Sequence, residues 1–214
     1  MTDVEMARIP AGRVLRGDQR GAARREIEVD AFEIGVYPIT EEQLAELLGI
    51  PSRYPRRPAT NISWLRAIRL CNALSEWEGR DPVYSFDGEV VRGDADADGF
   101  RLPTEDEWEY ACRAGSTSAA YGPVREVAWT AGDGLRGPME VGARMPNLHG
   151  LFDTLGNVWE WCADRYDPEG ESDVRVTRGG SWSDAPALVR ASARRGGRPR
   201  DGFDDVGVRV ARGL

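Results

Sequence analysis

Three short segments in the last third of the chain constrain its fold most, because each joins a glycine turn to closely spaced apolar residues. They read GNVWEW (residues 156–161), RGGSW (178–182) and GVRVAR (207–212). The 214-residue chain also contains 25 glycines and seven tryptophans, a composition typical of many turns with indole rings packed against irregular backbone. The pattern predicts short strands separated by turns, and we place them at residues 157–162, 175–182, 188–194 and 207–212.

The amino-terminal part of the chain predicts further short strands. Residues 27–29 and 32–36 alternate apolar and polar side chains, which is the period of a strand with one buried face. Residues 79–99 hold glycine and aspartate clusters that predict a hairpin followed by a polar loop. Strands of this length, joined by turns, are expected to pair mainly in the antiparallel direction.

Capping signals predict three helices. Thr40 begins the sequence TEEQ and Thr104 begins TEDE. Both are capping boxes, in which a threonine and a side chain three residues later each bond the other's backbone N–H. Ser63 precedes a segment whose apolar residues recur at helical spacing. We expect one short helix after Thr40, a second over about 64–78 and a third over about 105–114.

We predict one domain over residues 1–214, because no internal repeat or linker divides the chain. Hydrophobic residues make up 41% of the sequence and charged residues 30%, which is enough apolar material for a sizeable core. The fold class is α+β, with two or three helices packed on short, mainly antiparallel strands.

Charge limits the partners that the chain can bind. Its net charge is −8, and all 28 basic residues are arginines. A mostly acidic surface repels phosphates, so we do not expect nucleic acid as a partner. Residues 178–214 are basic, with eight arginines and four acidic residues. This basic segment could dock an anionic partner, or its arginines could pair with the acidic body of the domain.

Targeting signals are not evident. No apolar run reaches the length that a membrane-spanning helix needs, and the first residues lack the basic and apolar pattern of a secretion signal. The cysteine count is odd, which fits a reducing compartment. We therefore expect a cytoplasmic protein without a membrane partner.

Residues suited to nucleophilic or redox chemistry are few. His149 is the only histidine, and a single histidine in a glycine-flanked loop is more often structural than catalytic. Cys71, Cys112 and Cys162 lie far apart in sequence, unlike the close pairs of zinc and iron–sulfur sites. Buried thiols that act as small apolar side chains are the expected role, and no catalytic residue is assigned.

Asn157 and Glu160 are the best metal candidates. A loop that presents an amide oxygen, a carboxylate and free backbone carbonyls suits Ca²⁺, which prefers six to eight oxygen ligands. In the alternative interpretation, Glu160 pairs with a buried arginine and Asn157 caps a turn. Structural calcium is therefore one of two predictions for these residues, and no other cofactor is expected.

The motifs together resemble the formylglycine-generating, sulfatase-modifying family. Besides the three C-terminal segments, they comprise IPAG (9–12), FEIGVYPIT (32–40), FRLPTEDEWEYA (100–111) and GLFDTLGNVWEW (150–161). The resemblance covers nearly the whole chain in order. It implies a C-type-lectin-like fold, often with structural calcium.

The same resemblance implies that the family's oxidase chemistry is missing here. Formylglycine-generating enzymes carry two cysteines shortly after the Gly-Gly-Ser-aromatic motif, where the thiolates bind copper and activate oxygen. The matching stretch of this chain, SDAPALV (183–189), contains no cysteine. Related sulfoxide synthases use three histidines for iron, and this chain has one. An oxidase or oxygenase that acts on cysteine or a small molecule through an unrecognised metal site is the alternative function.

Variable proteins of diversity-generating retroelements resemble the chain more closely, because they keep the lectin-like scaffold and vary side chains near the C-terminus. Residues 183–188 and 195–206 lie between the fixed motifs and are small, polar or charged. Exposed loops on a rigid scaffold are the usual arrangement for binding. We therefore predict a non-catalytic module that binds a protein or small-molecule ligand, with a structural or regulatory subunit as a further reading. The predicted ligand-binding residues are Trp182, Ser183, Asp184, Ala185, Ala187, Arg195, Arg198, Asp201, Phe203, Asp204 and Asp205.

Overall fold

The computed structural model describes residues 3–17, 25–49, 51–88 and 90–214. Within these ranges the strands are β1 Met6–Ile9, β2 Gly12–Arg16, β3 Arg25–Val29, β4 Phe32–Gly35, β5 Tyr84–Asp87, β6 Val90–Gly93, β7 Trp159–Arg165, β8 Arg175–Arg178, β9 Arg194–Gly197, β10 Val206–Gly207 and β11 Ala211–Gly213. The helices are α1 Glu41–Leu48, α2 Trp64–Trp77, α3 Glu105–Arg113 and the single turn α4 Val124–Val127, followed by a 3-10 turn at Ala131–Asp133. The predicted α+β class is confirmed.

Two small sheets organise the domain. One has the strand order β10-β7-β8-β9, in which β7–β8 and β8–β9 are antiparallel and β10–β7 is parallel. The other has the order β1-β4-β11 and joins the two ends of the chain. Two hairpins, β2–β3 and β5–β6, complete the strands. The prediction of short, mainly antiparallel strands, including the hairpin within residues 79–99, is confirmed.

The three predicted helices begin where their capping residues stand. Thr40 and Thr104 form complete capping boxes at α1 and α3, and Ser63 accepts a bond from the backbone N–H of Arg66 at α2. The α2 side chains of Ile68, Cys71 and Leu74 are fully buried. In α1, Gln43 and Ala45 are buried, whereas Leu48 is 50% exposed.

The C-terminal strands are shorter than predicted. The strand predicted over 175–182 ends at Arg178 because Gly179 and Gly180 adopt φ angles of 99° and 83°, a backbone region that favours glycine. The strand predicted over 188–194 is wrong. Residues before Arg194 turn instead, and the Arg178 guanidinium bonds the carbonyls of Ser192 and Ala191 in that turn. The segment predicted over 207–212 divides into β10 and β11.

Several arginines of the basic C-terminal segment pair with the acidic body. Arg178 lies between Glu105 and Glu109, and all three side chains are at most 2% exposed. Arg212 bonds Glu33 at 2.6 Å, far away in sequence. These arginines therefore follow the interpretation in which the basic segment pairs with the acidic body of the domain. Among the described residues, no helix is long and apolar enough to cross a membrane.

Candidate functional site

The loop after β8 is held by one carboxylate, that of Asp184. Its Oδ2 atom accepts bonds from the indole N–H of Trp159 at 2.8 Å, the Ser181 backbone N–H at 2.9 Å and the Ser181 hydroxyl at 2.8 Å. The Asp184 carbonyl oxygen accepts a further bond from the backbone N–H of Ala131. A loop fixed at both its side chain and its backbone needs little further ordering when it binds a ligand.

A second carboxylate joins the two C-terminal loops. Arg195 donates two bonds to Asp205, at 2.8 and 2.9 Å, in the bidentate geometry that suits a guanidinium and a carboxylate. The guanidinium carbon lies 5.0 Å from the ring centre of Trp159 and 5.5 Å from that of Phe203, within the range of cation–π attraction. The Arg195 side chain remains 35% exposed.

The loop that carries Phe203 rests on the start of α2. The backbone N–H of Asn61 donates to the Phe203 carbonyl at 2.9 Å, and that of Leu65 donates to the Pro199 carbonyl at 3.0 Å. The Phe203 ring is half-buried beside Trp161, with 6.4 Å between the ring centres. The loop is therefore fixed from below, and its outward side chains face solvent.

The predicted ligand-binding residues fall into three groups by exposure. Trp182, Asp184, Arg195 and Phe203 are partly buried. Asp205 is buried at 9%, so the expectation that it belongs to an exposed loop is wrong; its carboxylate holds Arg195 from below. Part of the predicted 195–206 loop is also strand, namely β9 and β10. The exposed members are Ser183, Ala185, Ala187, Arg198, Asp201 and Asp204.

Sequence reasoning missed Trp159 and Ser181, which it assigned to the scaffold. Ser181 lies within hydrogen-bond distance of Ser183 at 3.0 Å, and both hydroxyls reach Asp205 at 3.4 Å. Alternate residues of a strand share one face, so the spacing of Trp159 and Trp161 was a usable signal that both reach the same side of β7. We call the partly buried and exposed predicted residues, together with Trp159, the C-terminal surface.

Asn157 and Glu160 lie three positions apart in the chain and make different contacts. Glu160 is fully buried, and its two oxygens accept bonds from the Arg209 guanidinium at 2.7 to 3.1 Å and from the Trp108 indole at 2.5 Å. The Asn157 amide bonds the backbone N–H and carbonyl of Met139. Glu160 therefore pairs with a buried arginine, as the structural alternative predicts, whereas Asn157 bonds the backbone of a residue 18 positions away instead of capping a turn. A carboxylate already paired with a guanidinium does not fit a calcium ion.

Asp153 stands beside this pair. Its carboxylate is buried and accepts a bond from the Gly142 backbone N–H at 2.8 Å. Burial raises the pKa of Asp153 to about 6, although the Gly142 bond and the Arg209 charge act in the opposite direction. Among the described residues, no group of three or more histidine, cysteine, aspartate or glutamate side chains is arranged to hold a metal ion.

The three cysteines and the histidine are poorly placed for chemistry. Cys71, Cys112 and Cys162 are free thiols with fully buried side chains. Burial raises the pKa of Cys112 to about 12 and the pKa values of the other two thiols well above their usual value. Partial burial lowers the pKa of His149, whose ring packs edge-on against Tyr110. None of these residues belongs to the C-terminal surface.

Several known proteins are similar to this chain in sequence or in structure. The sequence profile of the sulfatase-modifying factor enzyme 1-like domain matches residues 2–214. The inactive C-alpha-formylglycine-generating enzyme 2 of Mus musculus is 32% identical over 266 aligned positions, which cover 98% of this chain and 86% of that protein. The structure of Treponema denticola variable protein 1 aligns with a TM-score of 0.89 and 26% identity, covering 98% of this chain and 95% of the other.

A second solved structure, that of CarF, aligns over the full length of both chains with a TM-score of 0.85 and 24% identity, which supports the fold alone. Together these similarities confirm the predicted C-type-lectin-like fold of the formylglycine-generating type.

Proposed function

We propose that this chain, which belongs to the family of sulfatase-modifying factor enzyme 1-like domains, is a non-catalytic module that binds a protein or small-molecule ligand on its C-terminal surface. The observation that carries the proposal is the fixed arrangement of the two loops. Asp184 fixes the backbone of the loop after β8, and Asp205 fixes the Arg195 guanidinium. The other side chains of these loops include exposed ones, namely Ser183, Ala185, Ala187, Arg198, Asp201 and Asp204. Such pre-organisation lowers the entropy cost of binding.

The chemistry of the surface supports a binding role. The Arg195 guanidinium lies within cation–π distance of the buried Trp159 ring and of the half-buried Phe203 ring. Aromatic and arginine side chains dominate the binding energy of protein interfaces when they sit at the centre of the contact. The small side chains of Ala185 and Ala187 beside them are exposed, which allows a ligand to approach the backbone closely.

Absent thiols argue against the oxidase alternative. Residues 183–189 contain no cysteine, and the three thiols elsewhere are buried with raised pKa values. A Cu(I) site needs thiolates as soft ligands, and a raised pKa keeps a thiol protonated. Similarity to a mouse protein described as inactive and to a bacterial variable protein favours the same conclusion.

The oxidase alternative is tested with copper and oxygen. Purified protein is titrated with Cu(I) against a chromogenic chelator, and oxygen consumption is followed with a cysteine-containing peptide. We expect neither stoichiometric Cu(I) binding nor peptide-dependent oxygen uptake. Stoichiometric binding together with oxygen uptake would overturn the non-catalytic reading.

The place of binding is tested with peptides selected on the immobilised protein from a displayed cyclic library. Ala185→Arg and Asp204→Arg add bulk or reverse charge at exposed positions without removing a contact of the scaffold. Ala95→Arg, at an exposed alanine in the loop after β6, is the matched control. We expect the selected peptides to lose affinity for the first two variants and to keep it for the control; the reverse pattern would place binding elsewhere.

We further propose that the C-terminal surface is diversified, as the similarity to a variable protein suggests. Genomic context tests this part alone. A near-copy of the 3′ end of the gene beside a reverse transcriptase gene is the expected finding. Absence of both would leave a binding module with a fixed sequence.

A further inference from the structure

A second surface lies between α1 and α2, next to the segment on which the Phe203 loop rests. Its floor is apolar, and one of its leucines, Leu48, is 50% exposed. The same side of α2 continues at helical spacing to Trp77, which is 59% exposed. The apolar residues that line the groove are Leu44, Leu47, Leu48, Ile62, Leu70 and Ala73. We call this groove, with Trp77 at its end, the α1–α2 groove.

Two arginines form the rim of the α1–α2 groove. Arg66 and Arg69 lie one turn apart on α2 and both are exposed. Within the described residues neither is ion-paired with a carboxylate; the Arg69 guanidinium stacks 5.1 Å from the ring centre of Phe86. Many other arginines of this acidic chain bond carboxylates, as Arg178, Arg195 and Arg209 do. The rim therefore carries positive charge that no carboxylate among the described residues pairs with.

The basic character continues beyond the groove. A shallower depression shares Leu44 with it and leads to Arg53. The Arg53 and Arg57 guanidiniums stack on the Tyr54 ring, at 5.3 and 4.0 Å from its centre. Glu41 also lines this depression, but its carboxylate accepts bonds from Ser52 and from the Tyr54 backbone. A ligand along this face therefore meets arginines next to apolar side chains.

We propose that the α1–α2 groove docks an amphipathic helix of a partner protein, with carboxylates flanking its apolar face. A groove between two helices accepts the apolar stripe of a third helix at i, i+3, i+4 and i+7. Arg66 and Arg69 are spaced as neighbours on one helix face, about 5–6 Å between Cβ atoms. Carboxylates one turn apart on the partner helix match that spacing.

Two other occupants fit less well. A second copy related by a two-fold axis would bring the same patch against itself, and the arginine rims would then face each other. A fatty acid would fill the apolar floor but supplies one carboxylate for two arginines. The charge pattern therefore favours the acidic helix, and both other occupants are distinguishable outcomes of the test.

The test uses a fluorescein-labelled helical peptide with leucines at i, i+3, i+4 and i+7 and glutamates beside them, followed by fluorescence anisotropy on the full chain. Two control peptides replace the glutamates by lysines or the leucines by serines. We expect only the acidic peptide to bind, with an affinity that falls as the salt concentration is raised. The Arg66→Glu, Arg69→Glu double variant should bind it about tenfold more weakly, because two ion pairs become like-charge contacts.

Matched variants separate the groove from general charge effects. Leu48→Ser should weaken binding, whereas Arg125→Glu, whose wild-type side chain is 86% exposed, should leave it unchanged. Equal binding of acidic and basic peptides, no binding, or an unchanged affinity of the double variant would overturn the proposal. So would sedimentation showing a dimer that Leu48→Ser dissociates, or displacement of the peptide by oleate at stoichiometric concentration.

Discussion

The buried pair of Arg209 and Glu160 offers the sharpest test of the scaffold. Arg209 is fully buried and donates to Glu160 and to the carbonyls of Gly35, Val36 and Phe152 at 2.7 to 2.8 Å. One side chain thus connects β4, the loop before β7 and β7 itself. Arg209→Met removes all these donors while keeping most of the side-chain volume.

The expected loss is large. Removing one partner of a buried ion pair costs about 3–5 kcal/mol, because the other charge stays buried without a counter-charge. The three carbonyls lose a charged donor as well, at about 1 kcal/mol or more each. A domain has about 5–15 kcal/mol of total stability, so we expect Arg209→Met to lose about 6 kcal/mol or more, the sum of these costs, and to lie near the limit of folding.

Urea denaturation followed by tryptophan fluorescence measures the loss, and a double-mutant cycle assigns it. Glu160→Gln removes the charge that Arg209→Met would strand, and its amide oxygen still accepts from the Trp108 indole. We expect the double variant to be more stable than Arg209→Met alone, with a coupling of about 1–3 kcal/mol. If Arg209→Met is insoluble and the double variant is soluble, that difference would support the same conclusion. Losses that simply add would refute the direct pairing.

Four further predictions concern the same core. Asn157→Gly should lose about 1–3 kcal/mol because the Met139 backbone N–H loses its acceptor, and Asn157→Ala should lose about 1 kcal/mol more because the φ angle of 57° disfavours alanine; both are measured by urea unfolding. Burial raises the pKa of Asp153 from 3.8 to about 6 in the folded state. The folded state therefore binds this proton more tightly than the unfolded state does. The resulting contribution to the free energy of unfolding is fully present below pH 3.8 and is lost as the pH rises to about 6. Asp153→Asn should gain about 3 kcal/mol relative to wild type between pH 3 and pH 7, and equal slopes of stability against pH would contradict this. EDTA should leave the melting temperature unchanged, since an ion bound only to the folded state must raise it. A thiol reagent such as DTNB at pH 8 should label no cysteine until the protein is unfolded, and one reactive thiol in native buffer would contradict the burial.

Local signals in the sequence predicted the helices well. A capping box lies within four consecutive residues, so Thr40 and Thr104 located the starts of α1 and α3 without knowledge of the tertiary structure. The alternation of apolar and polar residues at 32–36 also predicted a strand correctly, because β4 buries one face and lies between two neighbouring strands.

Long-range contacts decided what the sequence left open. The strand predicted over 188–194 is lost because Arg178 reaches across to the carbonyls of Ser192 and Ala191. The two interpretations of Glu160 differ only in whether a distant arginine meets it, and Arg209 stands 49 positions away. Asp205 looked like an exposed loop residue because its partner Arg195 could not be identified from composition.

The central claim is that this domain binds its ligand through the C-terminal surface and does no chemistry there. Hydrogen exchange of the full chain, with and without a peptide selected from an unbiased library, tests it most directly. We predict that protection appears in residues 182–188 and 195–206 and in the adjoining part of β7. Protection confined to other segments, such as α1 and α2, would contradict the claim.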